Sequence, residues 1–388
     1  MDNKVRIIAF YLPQFHPIPE NDKFWGKGFT EWTNVASAKP LFKGHYQPHI
    51  PADLGFYDLR ASWTREEQAK LAKDAGIEGF CYWHYWMGKG KLLLERPFQE
   101  VLESGKPDFP FCLGWANGEW STAGWKQEGM LAKDRMICEQ FYSYDDYKDH
   151  FYYALSAFKD KRYIKVDGKP LFYIHDPLYV PQMKEFIKLW QQLAQENGLK
   201  GIYFVGKANN ISHWSYDENG SRSYNMNVDI NDPAKYHKPV RDLGFDAINT
   251  MGLDRAELIL GGKAQKILSK ILEKVFKTSF IRKYKQEQIN NLLYTNEDKR
   301  EDVYPTVIPN WDRSPRQRKL SVIYTDSTPD VFEKSLKKAI ELVKDREEEH
   351  RIIFLRAWNE WAEGNHVEPD IKYGRGYLDV LKRNLNIP

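Results

Sequence analysis

The chain has 388 residues, enough for one large domain or two to three smaller ones, and its 57 basic and 54 acidic residues leave a net charge of only +3. That near balance argues against a nucleic-acid binder, which needs a concentrated basic surface to neutralise phosphates. Three cysteines, Cys81, Cys112 and Cys138, are too few and too odd in number for a disulfide framework.

Short apolar runs alternate with helical patterns along the chain. Val5–Leu12 reads as a buried strand, entered straight from Met1-Asp2-Asn3-Lys4 with no basic n-region or long apolar h-region. No stretch reaches the ~18 apolar residues of a transmembrane helix. The expectation is therefore a cytoplasmic, reducing-compartment protein. A long polar and aromatic stretch, 13–60, follows the first strand. Helices are predicted at Thr64–Ala75, Leu92–Ser104, Asp145–Phe158, Val180–Asn197, Thr328–Lys344 and Gly376–Asn384. Further strands are predicted at Gly79–Tyr85, Phe109–Trp115, Pro170–His175, Ile202–Gly206, Asp246–Thr250, Val303–Pro309 and Arg351–Trp358. Buried strands separated by helices imply parallel βαβ units. Eight of them over this length fit a closed (β/α)8 barrel of the α/β class, a single catalytic domain over 1–388.

One insertion, at about 255–300, interrupts the rhythm and is read as helical. Within it Ala264, Ile267, Leu268, Ile271, Leu272, Val275 and Phe276 recur at helical spacing, among Lys263, Lys266, Lys270, Lys274 and Lys277. A basic amphipathic helix of this kind, near 263–283, can lie on an anionic membrane surface, and can equally pack on the barrel with a solvated lysine face.

The segment Ile352–Asp370 carries the most chemistry. A buried strand runs into Trp358, Asn359, Glu360, Trp361, Glu363, His366 and Glu368. Barrel enzymes build their sites at that end of the strands. Cleaving a glycosidic bond needs two carboxyl groups, one to protonate the leaving oxygen and one to assist attack at the anomeric carbon. Glu360 and Glu363, wedged between Trp358 and Trp361, suit that pair, since aromatic walls raise the pKa of a carboxyl they desolvate. An ordinary pair at this spacing sits on a solvated helix face; the tryptophans and the preceding strand argue otherwise here.

Polar and aromatic residues also collect after other strands. Tyr11, Gln14, His16, Trp25, Glu31, Trp32 and Asn34 follow the first strand. Trp83, His84, Tyr85 and Trp86 lie at the second, and Trp115, Asn117, Glu119 and Trp120 at the third. His175 ends the fourth, and Trp311, Asp312 and Arg313 follow the seventh. The 15% aromatic content taken alone suits a large aromatic core, and any single member suits core packing or loop-fixing. It is the repetition that points to a cleft binding an oligo- or polysaccharide, where flat rings pack on sugar faces. His84, His175 and His366 raise the question of a metal, but no HExxH or close Cys/His spacing supports one, so no metal and no cofactor is expected. P-loop, GxGxxG, GxSxG and DxD patterns are absent.

FYLPQFHPIPENDKFWGKGFTEWTNV from Phe10, HYQPHIPADLGFYDLR from His45, GFCYWHYW from Gly79 and AWNEWAEGNHVEPD from Ala357 resemble the WbsX family, named as glycosyltransferases and found in bacterial polysaccharide clusters. That family is in turn similar to glycoside hydrolase family 99, retaining endo-α-mannosidases with an N-E-W-x-E-G motif on a (β/α)8 barrel. The resemblance implies that Glu360 acts as base on a sugar 2-hydroxyl, giving a 1,2-anhydro sugar. It implies that Glu363 protonates the leaving oxygen and then activates water or another acceptor. Such a route suits α-mannosides or α-rhamnosides. The resemblance also places Tyr11 where those hydrolases contact substrate. One departure stands out. The family run W-A-N-E-N-W is here Trp115-Ala116-Asn117-Gly118-Glu119-Trp120, so the acid at Glu119 is displaced by one position. Three readings follow: a retaining hydrolase of a bacterial polysaccharide, a transferase that builds one, and an inactive carbohydrate-binding scaffold. The glutamate pair favours the first.

Overall fold

A computed structural model of the chain describes residues 5–122, 135–208, 213–216, 222–225, 230–271 and 281–385. Eight parallel strands form its centre: β1 (Arg6–Tyr11), β2 (Gly79–Gly88), β3 (Phe111–Trp115), β4 (Lys169–Ile174), β5 (Tyr203–Lys207), β6 (Ala247–Thr250), β7 (Val303–Val307) and β8 (Ile352–Leu355). Each pairs with the next, and β8 pairs back onto β1 with Arg6 opposite Ile352, which closes the barrel. The strands read as unbroken apolar runs because both faces are covered: side chains fill the lumen on one side and helices lie on the other. All eight expected strands are present, within a few residues at each end.

Side chains alternate across the pleat. The lumen-facing set stacks as an aromatic column. Phe10 of β1 lies parallel to Trp83 of β2 at 4.6 Å between centroids and touches Tyr173 of β4 and Phe354 of β8. The outward set meets the helices: Tyr11 packs on Phe80 and Tyr82, and Trp115 on Phe186 of the helix Met183–Glu196. Gly114 leaves room for the column, because a Cβ there would sit 2.9 Å from Cys81 Sγ and 3.4 Å from the Trp83 ring.

The outer helices follow the expected positions, with reasons at their ends. Tyr144–Lys159 starts where the Ser143 side chain accepts from the Asp146 N–H. Pro329–Val343 starts where Thr328 accepts from the Val331 N–H, with proline in the first turn. The second helix begins later than expected, at Arg96 instead of Leu92. Leu92 and Leu93 instead pair antiparallel with Trp86 and Tyr85, after a turn in which Gly88 and Gly90 take positive φ. The stretch after β1 holds two short helices, Pro19–Trp25 and Glu31–Ala36, the latter opened by a capping box at Thr30.

The segment 255–300 departs from a purely helical insertion. A helix spans Leu253–Ile271 but breaks at Gly262, whose φ of 69° and ψ of 164° are not helical. Arg282–Lys285 is a strand, paired in parallel with Val322–Thr325, and a helix Gln286–Leu292 follows. Arg282 and Lys283 therefore do not belong to the basic helix expected near 263–283, because their backbone is spent on that pairing. Leu272, Lys274, Val275, Phe276 and Lys277 lie outside the described residues. Tyr284, Ile289, Val322 and Tyr324 bury this insertion in a second apolar cluster with Leu253 and Trp311, beside the barrel mouth. Among the described residues no helix is long and apolar enough to cross a membrane.

Gly114→Val is expected to lower the unfolding free energy by about 1–3 kcal/mol, the usual cost of overpacking a filled interior. Urea titration checks this, and an unmoved midpoint would mean the lumen is looser than its aromatic column implies.

Candidate active site

At the C-terminal mouth of the barrel the chain leaves β8 and turns into a small hairpin. Asn359–Glu360 pairs antiparallel with Asn365–His366, and Trp361–Glu363 forms a 3-10 turn between them. Side chains three apart eclipse in such a turn. That is why Glu360 and Glu363 face the same cleft. Gly364 closes the turn at φ 70°, and a Cβ there would lie 2.8 Å from the backbone nitrogen of Asp312. That nitrogen in turn donates to the Glu363 carbonyl at 2.7 Å. Asn359 pins the hairpin to the end of β1, accepting from the Leu12 N–H at 2.7 Å and donating to the Leu12 carbonyl at 3.0 Å.

Both glutamates are buried. Trp83 Nε1 donates to Glu360 Oε1 at 2.8 Å. One guanidinium nitrogen, Arg356 Nη2, reaches both carboxylates, at 3.4 Å from Glu360 Oε2 and 3.2 Å from Glu363 Oε2. Glu363 Oε1 also meets Arg316 at 2.6 Å and Arg313 at 3.3 Å. Arg316 is shared with Glu31 Oε1, at 2.5 Å, and Glu31 is fully buried.

This arrangement separates the two carboxyls electrostatically. Burial, reinforced by the Glu363 charge, raises the Glu360 pKa above its ordinary value against the pull of Arg356, Arg316 and the Trp83 N–H. Burial acts on Glu363 too, but there Arg313, Arg316 and Arg356 together outweigh it and hold the carboxyl well below the usual range. Burial likewise raises Glu31 despite Arg316.

Two cavities meet at Glu363, and the smaller one also reaches Glu360. One, about 290 Å³, is bounded by Trp83, Tyr85, Glu119, Trp120, Glu360 and Glu363. The other, about 500 Å³, is bounded by Lys207, Glu257, Trp311, Arg313, Arg356 and Glu363. His175, Arg356 and Glu363 belong to both walls. His175 stands edge-on to Trp83 and contacts Lys207 Nζ at 2.8 Å; burial and Lys207 push its pKa down to about 3.

Of the residues singled out in the sequence, Glu360, Glu363, Gln14, Trp83, Tyr85, Glu119, Trp120, His175, Trp311 and Arg313 border this double cleft. The others do not. The Tyr11 hydroxyl donates to Gln68 Oε1 at 2.6 Å, on the helix-facing side of β1. His84 faces outward onto His150, with 2.8 Å between ring nitrogens. Trp115 donates to the Trp86 carbonyl at 3.1 Å, and Asn117 is locked to the Asp176 backbone in both directions at 2.8 Å. Trp32 donates to the Tyr57 carbonyl at 2.7 Å. Trp358 packs on Phe80 beneath the hairpin, and Trp361 donates to Glu368 at 2.6 Å. Asp312 is turned away, accepting from His45 and Gln47, each at 2.7 Å. The pleat accounts for several of these. Adjacent residues of one strand face opposite sides, so Trp83 points in and His84 out, Phe10 in and Tyr11 out. Sequence reading missed Arg316, Arg356 and Lys207. Arg356 and Lys207 lie at or just past strand ends, in step with inward-facing neighbours, and that periodicity was the available signal.

Glu368 supports the site from below. It accepts from Tyr57 at 2.8 Å and from Gln68 and Trp361 at 2.6 Å each, and burial pushes its pKa up to about 7.

The family model described as Glycosyltransferase WbsX matches residues 7–381. The chain is 34% identical over 382 residues to the uncharacterized protein WxcX of Xanthomonas campestris pv. campestris strain B100, covering 98% of this chain and 49% of that protein. WxcX of strain ATCC 33913 is 33% identical over the same coverage. The chain spans about half the length of the curated relatives it matches. Among solved structures, a glycoside hydrolase-like protein aligns with a TM-score of 0.57 at 14% identity, covering 99% of this chain and 95% of that one. A GH99 endo-alpha-mannosidase from Bacteroides thetaiotaomicron, solved with bis-tris-propane, aligns with a TM-score of 0.55 at 14% identity, covering 100% and 96%. At that identity these two share the fold.

Arg316→Leu removes the partner of two buried carboxylates, Glu31 and Glu363. It is expected to destabilise the protein by about 3–5 kcal/mol, the usual cost of stranding a buried charge. Adding Glu31→Gln should recover part of the loss in chemical denaturation; no recovery would mean that Glu31 is not charged in the folded state.

Proposed function

The chain belongs to the WbsX glycosyltransferase family, and on that premise we propose that its barrel mouth cleaves an α-manno- or α-rhamno-configured linkage in a bacterial surface polysaccharide with retention. One observation carries this reading: two buried carboxyls with opposite pKa shifts face one cleft, bridged by Arg356. Retaining cleavage needs such a pair, one member carrying a proton and the other ionised. The linkage type comes from the resemblance to the GH99 mannosidases.

The charges also bear on the division of labour. The family resemblance gives the proton donor's part to Glu363. In the free site three arginines favour Glu363 as the anion, and burial favours the proton on Glu360. We therefore assign proton transfer to Glu360, with its Trp83 hydrogen bond fixing the carboxyl plane. Glu363, held ionised, takes the sugar 2-hydroxyl proton, and that oxygen closes on the anomeric carbon as Glu360 protonates the leaving oxygen. Water deprotonated by Glu360 then opens the 1,2-anhydro sugar, O2 recovering the proton from Glu363, with net retention. The scissile bond spans the junction of the two cavities, where Glu363, Arg356 and His175 form the common wall.

Glu360→Gln and Glu363→Gln are each expected to abolish turnover of aryl α-mannosides or α-rhamnosides, by at least about a hundredfold, while keeping the fold and ligand binding. Wild-type rates in either would remove the pair from the chemistry. The pH profile tests the roles separately. A raised Glu360 acting as acid makes kcat/KM fall as pH climbs through its pKa, because the proton is then lost. A rate that rises through the same window would give Glu360 the base's part implied by the resemblance.

The family description favours a second reading, a transferase in lipopolysaccharide or capsule assembly that uses the same pair on an activated donor. Calorimetry with nucleotide sugars separates the two. Tight binding with no aryl glycoside hydrolysis selects transfer, and hydrolysis with no nucleotide-sugar binding selects cleavage.

A further inference from the structure

A third cavity, about 740 Å³, lies on the far side of the glutamate hairpin, and His49, His366 and Asp370 all reach it. We propose that these three residues form a divalent transition-metal site of the zinc type, which clamps the loop after β1 to the hairpin carrying Glu360 and Glu363. The proposal goes beyond the glycosidase reading and does not depend on it.

The donor set and spacing come first. His49 Nδ1 and His366 Nε2 are 3.1 Å apart, and His366 Nε2 is 3.9 Å from Asp370 Oδ2. One donor atom from each residue lies within 4.8 Å of the others. Donors around a tetrahedral ion with bonds of ~2.0–2.2 Å stand roughly 3.3–3.5 Å apart, so small side-chain rotations bring the three into place. Two imidazoles and one carboxylate match the ligands of zinc centres that keep one position open, here toward the cavity and solvent.

The surroundings already orient the donors. His366 Nδ1 lies 3.2 Å from the Glu368 carbonyl, which can only accept, so Nδ1 carries the proton and Nε2 keeps its lone pair toward His49 and Asp370. Asp370 Oδ1 accepts from the Tyr373 N–H at 2.6 Å, leaving Oδ2 on the His366 side. The His49 ring stacks on Tyr46 at 4.7 Å. Outer contacts of this kind fix tautomer and direction in metal centres. Without an ion, the short His49–His366 contact is an N–H···N hydrogen bond donated by His49. On binding, His49 moves that proton to Nε2 and offers the Nδ1 lone pair instead.

Position gives the site its consequence. His366 is paired in register with Asn359, Glu360 with Asn365, and the Trp361 ring stacks on His366 at 3.6 Å. An ion on His366 would therefore stiffen the hairpin from behind, through a residue 317 positions away in the chain.

The test uses the full, tag-free chain, stripped with chelator and dialysed. Calorimetry with zinc chloride should show one equivalent bound, cobalt chloride should give the visible d–d absorption of a nitrogen- and oxygen-ligated ion, and zinc should raise Tm. His49→Ala and the near-isosteric Asp370→Asn should each weaken zinc binding by at least about tenfold and lose the Tm response, with unchanged circular dichroism. The idea fails if the wild type binds no stoichiometric zinc, or if both variants bind it as the wild type does. If His49→Ala does not fold, Asp370→Asn and the wild-type cobalt spectrum decide.

Discussion

Everything at the mouth of this barrel is arranged around three carboxylates that have been taken out of water. Glu31, Glu360 and Glu363 are all buried, and an isolated ionised carboxyl in that position would simply take up a proton. Arg313, Arg316 and Arg356 oppose that uptake and prevail at Glu363, and they reach the cleft from two places. Arg356 follows β8, Arg313 and Arg316 come from the segment after β7, and Glu31, the second partner of Arg316, sits on the short helix after β1. The loops are thus tied to one another through charge. A buried ion pair contributes little net stability compared with apolar packing, but losing one partner is costly. The network therefore specifies how the loops close more than it stabilises the fold.

A second layer lies beneath the charges and is built of hydrogen bonds that converge on Glu368. Tyr11 donates to Gln68, Gln68 to Glu368, and Glu368 also accepts from Tyr57 and Trp361. Tyr57 further receives the Trp32 N–H on its carbonyl and an Asn359 N–H on its hydroxyl. Several aromatic residues that the sequence suggests as sugar contacts are members of this layer. Their polar ends are committed to fixing the hairpin, and their rings fill the space between barrel and loops. The aromatic wealth of the chain is divided accordingly. Trp83, Tyr85, Trp120 and Trp311 face the cleft, whereas Trp32, Trp115, Trp358 and Trp361 hold up what faces it.

What was legible in the sequence followed local rules. Eight apolar runs gave eight strands, because a strand buried on both faces needs no alternation and no partner to be recognised. Glu360 and Glu363 stood out because a buried strand led into them and tryptophans flanked them. Facing was less legible. Trp83 and His84 look alike in a list of polar aromatics, and only the phase of the pleat, set by Phe10, Cys81 and Gly114 packing in the lumen, separates them. Pairings at long range were invisible. Arg316 finds Glu31 across 285 residues and His49 finds His366 across 317, and no spacing rule covers such distances. The insertion shows the same limit, since Arg282–Lys285 becomes a strand only because Val322–Thr325 offers an edge.

The shared guanidinium of Arg356 has a final consequence for the chemistry. Because it lies within hydrogen-bonding reach of Glu360 and Glu363 together, a proton arriving on either changes the field felt by the other. The Glu363 charge also raises Glu360 by direct repulsion, so the two titrate as a pair, with two apparent pKa values that belong to neither residue alone. What breaks the symmetry is the unequal supply of arginine: Glu363 has three and Glu360 chiefly the one it shares. A single proton placed on the pair therefore resides on Glu360, beside the indole of Trp83 and in the smaller, aromatic cavity. The larger cavity, with Lys207 and Arg313 in its wall, keeps the charged member. Two adjacent glutamates in one short turn thus acquire different protonation states from the side chains that three distant segments bring to them.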